Sequence, residues 1–182
     1  MFKRGFYYLL LVSSLFGFPA STTATETYDE YHLKAAITYN IAKFVKWPEE
    51  AFADAEAPLI IFVIGNRDTN SGFASLEGQL LGHRPILIRY AESPNDFQNA
   101  HILFIARSKR RQLDETLLKL QGNPILTISD IENFVTQGGM INLVQRGNNI
   151  RFAINLDVSM AVDLQVSSQL YSLATEVIRN GQ

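Results

Sequence analysis

Two short runs, Leu59–Ile64 (LIIFVI) and Ile102–Ala106 (ILFIA), constrain this chain more than any other feature. Both are apolar at every position, and the first is rich in β-branched side chains. A strand with one wet face alternates apolar and polar residues. A run with no polar position fits a strand covered on both faces, as in a parallel sheet. Pro58 and Gly65 bound the first run, and Gly65-Asn66-Arg67-Asp68 turns the chain after it. Ile86–Tyr90 and Ile125–Ile128 read as two further strands.

Helical patterns separate these strands. The first is expected from about Tyr28 to Val45, with Leu33, Ile37, Ile41 and Phe44 at helical spacing, and Pro48 stopping it. A second places Phe73, Leu76 and Leu80 inward and ends at Gly82. A third, with Leu113, Leu117 and Leu120 on one face, has Ser108 as a candidate cap. Asp130 is expected to start a short helix through Val135. Met140–Val144 and Ile150–Leu156 then read as strands of a hairpin turned by Arg146-Gly147-Asn148-Asn149. A closing helix is expected to carry Val166, Leu170, Leu173, Val177 and Ile178 along one stripe. The expected fold is α/β: a single domain with a mainly parallel sheet flanked by helices and a C-terminal antiparallel hairpin. A length of 182 residues suits one domain that needs no metal or disulfide to hold it.

The first residues carry a different message. Lys3 and Arg4 precede an apolar run of about 13 residues, Phe6 to Phe18, followed by Pro19, Ala20, Ser21 and Ala24. This is the secretory signal pattern. The run falls short of the roughly 20 residues that span a bilayer as a helix. The expected division is a signal peptide over 1–24, cleaved between Ala20 and Thr25, and one domain over 25–182; a retained anchor is the alternative. Losing Lys3 and Arg4 leaves 14 basic against 18 acidic residues, a net charge of −4. Such a balance gives no electrostatic case for nucleic acid. The absence of cysteine excludes disulfides, thiolate metal sites, a lipid-anchored cysteine and cysteine nucleophiles.

Catalytic signatures are missing: there is no phosphate-cradling glycine loop, no Gly-x-Ser-x-Gly and no His-Glu-x-x-His. The three histidines are far apart in sequence, and no metal or cofactor is expected. Ligands of open α/β sheets bind beyond the carboxyl ends of the strands. Those ends carry Asn66, Arg67 and Asp68, then Arg107 and Ser108, then Ser129 and Asp130. Two readings stand for them: helix caps, or a ligand site. Lys109, Arg110 and Arg111 form a basic cluster at a helix start, where Arg110 with Asp114 and Arg111 with Glu115 are spaced to pair; it reads as a solvated helical face, with a partner contact the alternative. Gly138 and Gly139 precede a strand and suggest positive φ or a close approach. Asn142, Arg151 and Asn155 are expected to form one polar network that fixes the hairpin, with ligand binding the alternative. Trp47 is either a core residue or an interface anchor.

Several segments together resemble one family. These are YHLKAAITYNIAKFVKWP, LEGQLLGHRPILIRY, AHILFIARS, PILTISDIENFVTQGGMINLVQRGNNIRFAINL and LQVSSQLYSLA. In order and spacing they resemble the YfiR-like periplasmic proteins, from about Tyr31 to Val177. The resemblance implies a periplasmic regulator that inhibits a membrane-bound diguanylate cyclase through its periplasmic sensor domain, with cyclic di-GMP and biofilm as the output. It also implies an OmpA-like outer-membrane lipoprotein that can sequester the inhibitor, and in some members a homodimer. Family disulfides have no counterpart here, so redox control of that type cannot operate. On this reading the partner would meet Tyr39, Lys43 and Trp47 of the first helix, and a second surface around Phe134 and Met140. A periplasmic small-molecule binder, using the strand-end loops, is the alternative.

Overall fold

The structure is a computed structural model that describes residues 23–91, 97, 99–147 and 149–179. The expected signal peptide over 1–24 lies outside the described residues, except for positions 23 and 24. Helix α1 spans Thr23–Ala42, and the two-residue strand β1 (Val45–Lys46) follows. Strand β2 (Leu59–Ile64) leads to helix α2 (Arg67–Ala74) and the hairpin β3 (Leu80–Leu81)–β4 (Arg84–Tyr90). Strand β5 (Ile102–Ile105) runs into a 3₁₀ segment, Arg107–Gln112, and helix α3 (Leu113–Leu120). Strand β6 (Leu126–Ser129) is followed by a 3₁₀ turn, Phe134–Gln137. The hairpin β7 (Ile141–Arg146)–β8 (Asn149–Asn155) follows that turn. Helix α4 (Leu156–Met160), strand β9 (Gln165–Val166), helix α5 (Ser168–Tyr171) and strand β10 (Glu176–Ile178) complete the chain.

The main sheet has eight strands in the order β10-β8-β7-β6-β5-β2-β4-β3. The pairs β4/β2, β2/β5, β5/β6 and β6/β7 are parallel, whereas β7/β8 and β3/β4 are antiparallel. The single α/β domain, the mainly parallel sheet and the C-terminal antiparallel pair are therefore present. The apolar runs behave as their composition requires. Ile102 and Phe104 of β5 enter the core beneath α1 and α2, while Leu103 and Ile105 enter the core beneath α3. All four are fully buried.

Helix α1 differs from expectation. It begins ahead of Tyr28 and ends at Ala42, leaving Val45 to pair with Val166 of β9. Its buried positions include Tyr31, Lys34, Ala35, Thr38, Ile41 and Ala42, whereas Leu33 is exposed. Gly72 sets this face: a Cβ there would lie 2.6 Å from the backbone of Tyr31, so only glycine lets α1 and α2 approach so closely. The second predicted helix is too long. It stops at Ala74, Leu80 is an exposed strand residue, and Gly82, at φ 64°, belongs to the hairpin turn. Neither Ser108 nor Asp130 caps a helix: Ala106 and Asn133 occupy those positions.

The closing helix is replaced by β9, α5 and β10. Asp163 turns the chain in the left-handed region at φ 58°. Ser167 caps a helix of one turn, and Thr175 then donates its N–H to Phe152 at 2.9 Å. That bond opens the parallel pairing of β10 with β8. The edge of β8 carries unpaired backbone groups, and satisfying them outweighs local helix propensity.

Candidate functional site

Strands β2, β5 and β6 are neighbours, so their carboxyl ends lie together. There the Asp130 carboxylate accepts from the Arg107 backbone N–H at 2.6 Å and from Lys34 Nζ. Lys34 Nζ also binds Glu30. Arg107 grips Glu30 with both guanidinium nitrogens at 2.8 Å. Two cations and two carboxylates thus close on one another. Lys34 is only 2% exposed, and its ammonium lies 4.6 Å from the centre of the Tyr31 ring. A buried ammonium is tolerated because it is fully paired.

Titration follows this geometry. Burial by itself would raise the Glu30 carboxyl, but hydrogen bonds and charge from Lys34 and Arg107 outweigh it and hold Glu30 below the usual carboxylate range. Burial, reinforced by the charge of Asp130, pushes the Tyr31 phenol up to about 12. The Glu30 salt bridge raises the Arg107 guanidinium.

The seven strand-end residues divide. Arg107 and Asp130 belong to the ion cluster. Ser129 supports it from below, donating to the Ile105 carbonyl at 2.6 Å and accepting from Ile131 N–H at 3.0 Å. Asn66 caps α2, accepting from Thr69 N–H at 3.1 Å. Arg67, Asp68 and Ser108 are exposed. Sequence reasoning missed Glu30 and Lys34. Their i, i+4 spacing was readable, but their target, 96 residues further on at Asp130, was not.

The hairpin polar network needs correction. Asn142 donates to the carbonyls of Ser129 at 3.1 Å and Ile131 at 2.8 Å, and accepts from Phe134 N–H at 3.2 Å. Asn155 donates to the Val135 carbonyl at 2.9 Å and caps α4 through Val158 N–H. Both amides therefore hold the loop around Phe134. Arg151 takes no part: it sits opposite Val144 and is exposed. Gly138 adopts φ 95°, and a Cβ on Gly139 would lie 2.1 Å from the Phe134 ring. Phe134 is 0% exposed and Met140 4%, so the expected second contact surface has no apolar side chain to offer from either residue.

At the opposite end of the sheet a cleft of about 890 Å³ opens between α1, β1 and the β3–β4 turn. Its walls include Lys43, Trp47, Phe52, Leu81 and Arg84. Tyr39 stands beside it: its hydroxyl donates to the Leu80 carbonyl at 2.9 Å, and Lys43 Nζ lies 4.2 Å from its ring centre. Beneath the cleft is His101, 3% exposed. Its Nδ1 accepts from Ile60 N–H at 3.0 Å, which leaves Nε2 to donate to the Ala51 carbonyl at 3.0 Å. Phe52 stacks on its ring at 4.2 Å, and Arg84 lies 3.8 Å from the centre of the Phe52 ring. Burial lowers the His101 pKa. This stack joins a cleft wall to the buried start of β5.

Among the described residues no helix is long and apolar enough to cross a membrane, and no group of three or more His, Asp or Glu side chains is placed to hold a metal ion. No curated protein matches the chain. One family model does, over residues 31–175, from the inward turn of α1 to the threshold of β10. Its members are periplasmic regulatory proteins of diguanylate cyclase signalling. The protein belongs to the YfiR/HmsC-like family.

Proposed function

We propose that this protein is exported by its N-terminal signal sequence and binds and inhibits the periplasmic sensor domain of a membrane diguanylate cyclase. Its role is then to hold cyclic di-GMP and surface attachment down. The family match carries this reading, and the cleft beside Trp47 supplies a surface for it. An open wall of Trp47, Phe52 and Leu81 with Lys43 at its edge has the composition of a protein interface: an aromatic and apolar centre inside a charged rim. Inhibition needs no reactive group on the inhibitor, so the protein acts by binding and not as an enzyme. An OmpA-like outer-membrane lipoprotein would compete for the inhibitor and release the cyclase, and a homodimer is the form in which two sensor domains could be met.

Deleting the gene tests the reading. Cellular cyclic di-GMP and attachment should rise, and deleting the cognate cyclase as well should abolish the rise. Unchanged cyclic di-GMP across several growth conditions would overturn it. Mass spectrometry of the periplasmic protein should place its N-terminus between about Ser21 and Glu26; a full-length cytoplasmic protein would refute export.

A further inference from the structure

The strand order brings β2 and β5 side by side although β4 comes between them in sequence. The chain leaves β2 towards the face that buries Phe73 of α2, and leaves β5 towards the face that buries Leu113 and Leu120 of α3. Connections that part in this way open a crevice at the carboxyl ends of the strands. The crevice here has a volume of about 790 Å³ and is lined by Asn66, Arg67, Asn70, Ser71, Tyr90 and Lys109, with small residues between them.

Two cations from different loops converge on it. Arg67 follows β2 and Lys109 follows β5, and neither makes an ion pair among the described residues. No described carboxylate lines the crevice. The nearby Glu30 and Asp130 are committed to Lys34 and Arg107. Thr69 N–H and Asn70 N–H are already bonded to Asn66, so the case rests on these two side chains and not on the end of α2. Two cations that line one concavity without an ion-pair partner among the described residues, on a chain of negative net charge, call for an anion. A third group refines its chemistry. The Asn70 amide oxygen is shut off from solvent without a hydrogen-bond partner. A turn of the amide towards the crevice would let it accept from a ligand hydroxyl. Tyr90, whose hydroxyl donates to the main-chain carbonyl of Asn70 at 3.1 Å, supplies a half-exposed aromatic wall.

We propose that this crevice binds a small phosphate monoester bearing hydroxyl groups, with Arg67 and Lys109 on the phosphate and Asn70 on a hydroxyl. A phosphate presents enough oxygens for both cations at once, and the guanidinium fork matches two of them. The crevice is also larger than a bare phosphate, which leaves room for the ester. The site does not depend on the cyclase reading.

Calorimetric titration of the full mature protein with glycerol 3-phosphate tests the site, with inorganic phosphate and glycerol as the other arms. Saturable binding is expected, weaker for inorganic phosphate and absent for glycerol. Arg67→Gln and Lys109→Gln should each weaken it at least about tenfold, as loss of a charge-assisted hydrogen bond does. Arg110→Gln, an exposed cation outside the lining, should leave it unchanged. Melting temperatures of all three variants should match the parent protein. No saturation by about 10 mM, the range of unspecific attraction, overturns the proposal, and so does an equal loss in Arg110→Gln. Equal affinity for inorganic phosphate overturns the ester assignment.

Discussion

The indole N–H of Trp47 donates to the main-chain carbonyl of His101 at 3.0 Å, so a residue of the cleft wall is tied to the strand that runs through the centre of the sheet. The same carbonyl accepts from Leu126 N–H at 2.9 Å. Trp47 is thus half a core residue and half a surface one, and its two roles separate by substitution. Trp47→Phe keeps the ring and loses the bond, at a cost of about 1 kcal/mol. For a chain of this length that lowers the melting temperature by roughly 2–4 °C. Trp47→Ala removes the wall as well and should abolish capture of the cyclase sensor domain, with the circular dichroism spectrum retained. Full capture by a folded Trp47→Ala protein would move the contact elsewhere.

Lys34→Met takes the ammonium from Asp130, whose side chain is 2% exposed, while Glu30 keeps Arg107. Removing one partner of a buried pair costs about 3–5 kcal/mol. Lys34→Met combined with Asp130→Leu replaces the pair by apolar groups and should recover much of that loss. Urea denaturation of both variants checks this, and a double variant no more stable than the single would show that the charges themselves hold α1 in place.

His101 makes stability depend on pH. Its folded-state pKa lies below the ordinary value of 6.5, because burial penalises the charged ring and the Arg84 charge adds to this, together outweighing the hydrogen bond to the Ala51 carbonyl. The unfolded chain takes up the proton first as pH falls. The contribution is therefore whole above about 6.5 and is lost below it, until the folded-state pKa is passed. The slope is at most about 1.4 kcal/mol per pH unit. Denaturation curves between pH 7.5 and 5 should show it, and His101→Asn should flatten it. A slope unaltered in that variant would assign the effect to other groups.

Gly139→Ala should destabilise sharply, since the new methyl group meets the buried Phe134 ring at 2.1 Å. Overpacking of this kind costs roughly 1–3 kcal/mol. Arg151→Ala, at an exposed strand position, should stay within about 0.5 kcal/mol. Equal losses in the two proteins would mean that Arg151 has a partner in solution.

How much of this was legible in the sequence depended on how local the deciding interaction was. The runs at Leu59–Ile64 and Ile102–Ala106 announced their strands because burial on both faces leaves no polar position. The β7–β8 hairpin was readable from its turn. Asp130 looked like a cap because its side chain suits one, yet a lysine from the first helix claims it. The stripe from Val166 to Ile178 has helical spacing, but the open edge of β8 draws its end into a strand. Leu33 looked inward until Gly72 set which side of α1 meets α2. The candidate sites followed the same rule. Asn66, Arg107 and Asp130 were found because strand ends can be read from strands, whereas the cleft around Trp47 is assembled from β1, the β3–β4 turn and the start of β2, which no single segment reveals.

The pairing of Val45 with Val166 has a consequence for biosynthesis. One border of the cleft is stitched to a segment that leaves the ribosome long after it, and the Lys34 ammonium waits for a carboxylate at Asp130. The amino-terminal third therefore has no complete structure to adopt while it is being made. A chain with its contacts so widely separated in sequence closes slowly, and slow closure is what the export proposed above would require of it.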